Sequence, residues 1–291
     1  MPLIHHKLGT THYVRKGKVH KDRLPIIYLH GGPGGTHYLS SPLLKLSNER
    51  CVVMYDQLGA KKSKPKQKKP RWTIQLFVDE LAILVDKMGF KKFHLTGGSW
   101  GTTLALEYYL RTKDKRIASI NFSSPLFNTS IWVKDCKRLL KQLPKKMQEA
   151  IVACEKVGAT DSKVYKAADK EFTKRFVCRG DFSKPIFKLS KKNGNPAAYE
   201  YMWGTSEFNP TGTLKNYDRL KDLKKIKVPV QLTCGQYDEA TPEACRYFQK
   251  LIPGSKLTIF KGCSHIYFQE KPKLVLKAYR KWLKYADRQT R

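Results

Sequence analysis

The sequence predicts an α/β fold in which helices cover a mostly parallel β-sheet and a helical cap is inserted. Short apolar runs, which suit buried parallel strands, alternate along the chain with stretches of helical periodicity. With 291 residues, 41% of them hydrophobic, the chain can bury a large core. The apolar runs are centred near Val14, Ile27, Val53, Leu95, Ile120, Val230 and Ile259.

The predicted helices fall into two groups. Residues 72–88, which Gly89 ends, and residues 102–111 lie between predicted strands, as sheet-covering helices do. The second group interrupts the strands, at residues 131–140, 144–157 and 164–177. We therefore expect residues 1–124 and 217–291 to form one domain, and residues 125–216 to form a cap over the carboxyl edge of its sheet.

A candidate nucleophile lies between a predicted strand and a predicted helix. Residues 97–101 read Gly-Gly-Ser-Trp-Gly, and G-x-S-x-G in this context is typical of the turn that presents a nucleophilic serine in α/β-hydrolases. Glycines tolerate the backbone angles and close approach of such a turn. The helix beginning at Ser99 directs free N–H groups toward negative charge that develops at the site. The pattern also occurs by chance in unrelated chains, so the flanking motifs decide its meaning.

A glycine-rich loop follows an earlier strand. Residues 25–29 form an apolar run that leads into His-Gly-Gly-Pro-Gly-Gly at 30–35. In α/β-hydrolases such a loop supplies one N–H group of the oxyanion hole, and the residue after the nucleophile supplies the other. We therefore expect Gly31, Gly32 and Trp100 to form the oxyanion hole, the alternative for the loop being an ordinary Gly/Pro turn.

An acid and a histidine follow the last two predicted strands. Asp238 comes after the strand at 228–234 and His265 after the strand at 256–260, which gives the chain order Ser, acid, His of this fold. His265 is the candidate base for Ser99, and Asp238 would hold its tautomer and stabilise the imidazolium. The remaining histidines have no such position late in the chain: His5, His6, His12, His20, His30, His37 and His94.

Together these motifs resemble those of the proline iminopeptidases. That family consists of α/β-hydrolases that remove an N-terminal proline or another residue from peptides, and amino-acid amide hydrolases are close relatives. The resemblance rests on residues 30–35, on Tyr-Asp-Gln-Leu-Gly at 55–59 and on residues 97–106, and it runs from about residue 24 to about residue 270. It implies a small peptide or an aminoacyl amide as the substrate.

The resemblance also implies how the free amine of the substrate is bound. Residues 199–208 resemble the cap segment of the family, in which the glutamate matching Glu207 binds the α-amino group together with the one matching Glu239. A cationic amine in a partly buried pocket needs carboxylates beside it. Glu200 is a third candidate, although its Tyr-Glu-Tyr surroundings also fit a plain helix face.

Several aromatic residues are candidates for the wall of a compact pocket suited to a pyrrolidine ring, although Trp203 and Phe208 also fit packing within the cap. Serine at the elbow argues against haloalkane dehalogenases and epoxide hydrolases, which place Asp there. Peptide, amide and ester substrates all stay open, so an amino-acid amide hydrolase or an esterase of the same fold is the alternative function. The aromatic candidates are Trp100, Tyr199, Trp203, Phe208 and Tyr267.

One loop departs from the family pattern. After residues 56–60 the family usually continues with Gly, a basic residue and Ser, whereas this chain has Lys-Lys-Ser at 61–63. Lysine at a position that uses the conformational freedom of glycine predicts a changed loop geometry. The change does not involve the candidate triad.

The charge is extreme for a soluble metabolic enzyme. Lys and Arg number 57 against 24 Asp and Glu, a formal net charge of +33, and seven basic residues fall within 61–71. The other lysines are scattered over every segment, and no nucleic-acid module is evident. We therefore expect a lysine-rich solvated surface, natural or engineered as a supercharged variant, in preference to a nucleic-acid-binding protein on a hydrolase scaffold. Nonspecific binding of nucleic acid or anionic surfaces at low salt should follow.

The cysteines and the N-terminus exclude other classes of protein. Seven cysteines form no C-x-x-C pair, and their odd number argues against a disulfide framework and a zinc site. The N-terminus lacks the apolar core of a signal peptide, and no segment approaches the roughly 18 apolar residues of a membrane span. We expect a soluble cytoplasmic enzyme without metal or cofactor.

Overall fold

A mixed β-sheet forms the centre of the computed structural model, which describes residues 2–290. Its strands are β1 (Leu3–His6), β2 (Gly9–Lys16), β3 (Ile26–Leu29), β4 (Val52–Asp56), β5 (Lys64–Pro65), β6 (Phe93–Gly98), β7 (Ile117–Ser123), β8 (Val230–Gly235) and β9 (Lys256–Phe260). The order across the sheet is β1-β2-β4-β3-β6-β7-β8-β9, and β5 pairs with β2. Strands β1, β2 and β5 pair antiparallel at one side. From β4 to β9 the neighbours are parallel, so the predicted α/β fold with a mostly parallel sheet is confirmed.

The register of the parallel strands brings their carboxyl ends to one edge of the sheet. Leu29 at the end of β3 lies opposite Gly97 of β6, and Gly98 lies opposite Ser123 of β7. Ser123 also lies opposite Thr233 of β8. The loops that follow these strands therefore meet at this edge, where ligands bind in open α/β sheets.

Helices connect the strands and cover the sheet. They are α1 (Ile74–Met88), α2 (Trp100–Thr112), α3 (Thr129–Leu140), α4 (Lys145–Lys156), α5 (Lys163–Phe172), α6 (Pro185–Asn193), α7 (Pro196–Met202), α8 (Pro242–Leu251), α9 (Tyr267–Glu270) and α10 (Pro272–Gln289). Turns of 3-10 helix occupy His37–Asn48 and Leu220–Lys225. The predicted helix at 164–177 is divided, because the chain widens into a π-helical turn at Thr173–Val177 after α5.

Helix α1 shows how the sequence sets the ends of a helix. The Thr73 side chain accepts a hydrogen bond from Leu76 N at 3.1 Å, which caps the first turn. Gly89 ends the helix in a left-handed conformation at φ +67°, where glycine avoids the steric cost that a side chain brings. The predicted helix at 72–88 is thus shortened at its start to Ile74, the residue after the cap.

The core lies on both faces of the sheet. Ile27 and Leu29 of β3 belong to the apolar cluster that also contains residues of α1, α2 and the helices after β7. Ile26 and Tyr28 point the other way, into a cluster formed with α10 and the His37–Asn48 segment. Because both faces are covered, the strand reads as a continuous apolar run without alternation, as in other buried parallel strands.

The described chain between β7 and β8 contains helices α3 to α7 and a 3-10 turn. Asn128 and Asp218 pair as an isolated antiparallel bridge, so this segment leaves and rejoins the sheet domain at neighbouring points. The expected cap limits, residues 125 and 216, stay a prediction, and the bridge lies close to both.

Lys61 adopts the left-handed conformation that the family pattern assigns to glycine, at φ +54°. Such a conformation costs a non-glycine residue about 1–2 kcal/mol. Three contacts offset that cost: Lys61 N donates to Asn193 O at 2.6 Å, Lys61 Nζ lies 3.9 Å from Asp56 Oδ2, and it lies 4.7 Å from the centre of the Tyr38 ring. The loop thus keeps the glycine-like geometry in spite of the lysine.

Candidate active site

Ser99 occupies a sharp turn between β6 and α2. Its backbone lies at φ +53° and ψ −124°, and Ser99 N donates to Ser123 O at 2.8 Å. A Cβ atom on Gly97 would lie 2.1 Å from Gly101 O, and one on Gly101 would lie 2.2 Å from Leu29 O. Both positions therefore exclude any side chain, which explains why the elbow has glycine at each end.

The glycine loop after β3 lies against Ser99. A Cβ atom on Gly31 would lie only 3.0 Å from Ser99 Cβ. His30 fixes this loop, because its Nε2 accepts from Gln57 N at 2.9 Å and its Nδ1 lies 2.8 Å from Gly31 O. These contacts require the neutral tautomer with the proton on Nδ1, and burial lowers the pKa of His30 to about 4.

Gln57 joins the two segments in which the oxyanion hole is predicted. Trp100 Nε1 donates to Gln57 Oε1 at 2.9 Å, and Gln57 Nε2 donates to the carbonyl oxygen of His30 at 3.1 Å. All three side chains are buried. A role for Gln57 was not predicted from the sequence, although a glutamine directly after a buried strand, here β4, is a signal of a buried hydrogen-bonding function.

Asp238 and His265 are brought together from the loops after β8 and β9. His265 Nδ1 lies 2.7 Å from Asp238 Oδ1. Asp238 also accepts from Ala240 N at 2.9 Å, from Gly235 N at 3.1 Å and from Ser124 Oγ at 2.6 Å. The carboxylate is therefore held on both oxygens, and it directs the Nδ1–H tautomer of His265, which leaves Nε2 as the basic nitrogen. His265 and Ser99 line the same cavity of about 90 Å³.

A second cavity of about 150 Å³ is also lined by Ser99. Glu207 accepts from Trp132 Nε1 at 3.0 Å through one oxygen and from the Tyr199 hydroxyl through the other. Glu239 Oε1 lies 3.7 Å from His265 Nδ1. The cavity is lined by Gly32, Ser99, Leu126, Trp132, Tyr199, Trp203, Glu207 and Glu239.

The two glutamates and His265 influence one another electrostatically. Burial raises the pKa of Glu207, and burial followed by the charge of Glu207 raises the pKa of Glu239 well above its ordinary range. Burial by itself lowers the pKa of His265, but the negative charges of Asp238, Glu239 and Glu207 outweigh it and raise this pKa to about 9. Together these interactions favour the protonated forms of the three side chains.

The other sequence-predicted residues occupy different places. Tyr199 and Trp203 line the glutamate cavity, and Tyr267 lines the cavity beside His265 with its hydroxyl 2.9 Å from Thr233 Oγ1. Phe208 is buried against Phe172, with ring centres 4.7 Å apart. Glu200 is exposed on α7.

Trp132 and Ser124 were not predicted from the sequence. Trp132 donates to Glu207 and also presents its ring edge-on to His265, with ring centres 5.9 Å apart. Ser124 has a left-handed backbone at φ +52° and its hydroxyl donates to Asp238. The position of Ser124 directly after β7, at the same edge as Ser99, was the available signal.

All seven cysteines are buried and unpaired. Within residues 2–290, no group of three or more His, Cys, Asp or Glu side chains is arranged to hold a metal ion. None of the helices in that range has the length and apolar character needed to cross a membrane.

The chain is similar to known proteins over most of its length. Residues 25–272 match the alpha/beta hydrolase fold family model. Proline iminopeptidase of Heyndrickxia coagulans is 42% identical over 250 residues, which cover 85% of this chain and 86% of that protein. Proline iminopeptidase of Clostridium botulinum is 35% identical over 290 residues, covering 99% and 98%. The crystal structure of proline iminopeptidase from Mycobacterium smegmatis is similar with a TM-score of 0.90 and 30% identity, covering 98% of this chain and 97% of that one. The chain therefore belongs to the proline iminopeptidase family of α/β-hydrolases, and it is a hydrolase of the aminopeptidase type.

Proposed function

We propose that this protein releases an N-terminal proline, or another small residue, from peptides through an acyl-enzyme on Ser99. The observation that carries this proposal is the pair of buried carboxylates, Glu207 and Glu239, in a cavity that Ser99 also lines. A protonated α-amino group between these carboxylates brings the carbonyl group of the same residue to Ser99. Binding of the chain end therefore selects the first peptide bond for cleavage.

The size of the glutamate cavity supports a small first residue. Its volume is about 150 Å³, and an apolar cavity of about that volume holds a benzene-sized ring. Leu126, Trp132 and Trp203 provide apolar surface for such a ring. A pyrrolidine ring of proline fits these dimensions.

In the proposed reaction His265 takes the proton of Ser99 Oγ as this oxygen attacks the carbonyl carbon. The backbone N–H of Trp100 and an N–H of the loop at Gly31 and Gly32 stabilise the tetrahedral oxyanion. The bond to the leaving amine then breaks, and His265 gives its proton to that amine. Water repeats the sequence on the acyl-enzyme, which releases the free amino acid and regenerates Ser99.

The cavity beside His265 is suited to the leaving group. It lies next to Ser99 and His265 but is not lined by either glutamate, and its volume of about 90 Å³ is small. The second residue of a peptide, or the ammonia of an amino-acid amide, can occupy this side. Peptides and amides of the same first residue are therefore both substrates of the proposed mechanism.

The test compares proline 4-nitroanilide with its N-acetylated form. The free amine should be strongly preferred, and E207Q and E239Q should each lose about 2–5 kcal/mol of transition-state binding, because each removes a buried charged partner from a cation. E149Q removes an exposed acid on α4 and should leave kcat/KM unchanged. Equal cleavage of the free and acetylated anilides would instead identify an esterase or a general amidase.

A further inference from the structure

The predicted base and the amine-binding carboxylates form one electrostatic unit. His265 Nδ1 lies 2.7 Å from Asp238 Oδ1 and 3.7 Å from Glu239 Oε1, so Glu239 faces both the base and the cavity. Glu239 Oε2 is buried without a hydrogen-bond partner among residues 2–290. A buried carboxylate oxygen in that position needs a proton or a cation.

The charged groups that face His265 are acidic. Asp238 and Glu239 approach it from the loop after β8, and Glu207 acts on it from the segment after α7. Trp132 of α3 covers the ring edge-on, and Phe176 accepts the backbone N–H of His265 at 3.2 Å.

The more distant charged groups do not reverse this negative balance. Asp169 of α5 adds negative potential at both glutamates. Glu270 of α9 accepts from Ser264 N at 2.7 Å, and the guanidinium of Arg179 lies over the Tyr237 ring at 4.3 Å. The acids around His265 therefore produce a negative potential that a proton or a bound cation can neutralise.

We propose that the ammonium group of the substrate, by binding between Glu207 and Glu239, favours loss of a proton from His265 and so makes this base available to Ser99. This inference rests on the proposed function and extends it, because the ammonium becomes a requirement for the chemistry as well as for binding. The bound cation pairs with the free oxygen of Glu239 and opposes a second positive charge on the imidazole. The displaced proton goes to solvent and the ammonium keeps its own.

The carboxylates around His265 determine the direction in which a bound cation shifts its pKa. The carboxylates that surround His265, 2.7 Å away at Asp238 and 3.7 Å away at Glu239, raise its pKa to about 9 and so favour the imidazolium over the neutral form that accepts the proton of Ser99. A cation at Glu239 lowers this pKa. While the pH stays below both values, each unit of lowering raises the fraction of neutral imidazole about tenfold. A substrate without an amine therefore meets a smaller fraction of neutral His265, and the enzyme discriminates against it in the rate of acylation.

The experiment supplies the acyl group and the cation as separate molecules. 4-Nitrophenyl acetate has no amine, and its small acetyl group leaves room beside Glu207 and Glu239 for pyrrolidinium. The burst of 4-nitrophenol that reports acylation of Ser99 is measured across pH, with and without pyrrolidinium. Competitive inhibition of proline 4-nitroanilide hydrolysis sets the saturating pyrrolidinium concentration and shows that the cation occupies the amine site.

Pyrrolidinium should move the midpoint of the pH profile downward and accelerate the wild-type burst at neutral pH by about tenfold or more. E239Q should show a lowered midpoint without pyrrolidinium and little further response, and E207Q provides the same comparison should E239Q fail to fold. E149Q should respond as the wild type does.

Two outcomes separate this inference from the proposed function. If pyrrolidinium competes with the proline anilide but inhibits the acetate burst or leaves it unchanged, the inference fails and the proposed function stands. If pyrrolidinium does not compete, and free and acetylated anilides are cleaved equally, both fail.

Discussion

Replacing Gln57 by Met is expected to weaken both the fold and the proposed oxyanion hole. Methionine has a similar length and fills the buried site, so the cavity contribution should be small. It cannot accept from Trp100 Nε1 or donate to His30 O, bonds that Gln57 makes at 2.9 and 3.1 Å. An unsatisfied buried polar group costs about 1–3 kcal/mol, so the two together predict a loss of about 2–6 kcal/mol in the free energy of unfolding.

The same substitution should lower turnover without abolishing folding. Native domains have about 5–15 kcal/mol of stability, so most of this range leaves a folded enzyme. Displacing an oxyanion donor by about 1 Å costs up to about 10²-fold in kcat, with a smaller effect on KM. Urea unfolding followed by circular dichroism and steady-state kinetics measure the two effects.

Gln75 offers a matched control. It is exposed on α1, where its amide donates to Asp79 and accepts from Arg111. Because these hydrogen bonds are exposed to water, Q75M should change stability by no more than about 0.5 kcal/mol. If Q57M matches Q75M in both stability and kcat, the bridging role assigned to Gln57 is wrong.

Three further predictions address the nucleophile, the acid stability and the surface charge. S99A should fold normally and keep only the residual acceleration of about 10³–10⁴ over water, and wild-type turnover in a folded S99A would refute the hydrolase mechanism. Burial raises the pKa of Asp287, but hydrogen bonds from His94 and Arg50 outweigh it and hold this pKa at about 2. Because the pKa is lower in the folded state, the Asp287 carboxylate stabilises the fold above pH about 4 and loses this effect as pH falls to about 2. The free energy of unfolding of D287N, measured with urea over that range, should therefore depend less on pH than that of the wild type. An unchanged pH dependence would contradict the assignment. Nucleic acid should bind weakly and be released as the salt concentration rises, since counterion release drives the binding. Hydrolysis of a substrate with a neutral leaving group should persist at the same salt concentration. A turnover that requires nucleic acid would show that the basic surface takes part in function.

The buried strands were the most predictable part of the fold. Residues such as Ile26–Leu29 are covered on both faces, so every position is apolar and the run is visible without any knowledge of its neighbours. Strand β1 and the two-residue β5 gave no comparable signal, because they lie at the antiparallel side and their residues are partly exposed. The His37–Asn48 segment contains Pro42 and forms 3-10 turns, which have no amphipathic period that the sequence could display.

In the candidate site, residues marked by their local sequence context could be predicted, whereas contacts between segments far apart in the chain could not. Ser99, Asp238 and His265 could be named because each follows a strand end in a fixed chain order. The supporting hydrogen bonds join segments far apart in the chain: Gln57 and Trp100 are 43 residues apart, Trp132 and Glu207 are 75 apart, and Ser124 and Asp238 are 114 apart. Such pairs become visible only when the register of the strands is known.

The bridge between Asn128 and Asp218 brings together the two ends of the helical segment after β7, which we call the module. Chain that enters and leaves at one place can be lengthened, shortened or exchanged while the order of the sheet strands stays intact. The proposed amine site is divided across this boundary, since Glu207 and Trp132 lie within the module whereas Glu239 follows β8. Exchange of the module would therefore replace Glu207 and Trp132, one side of the proposed recognition of the chain end, while Ser99, Asp238 and Glu239 stay outside the exchanged stretch. Substrate preference in this architecture can thus diverge by changes in one contiguous stretch of sequence.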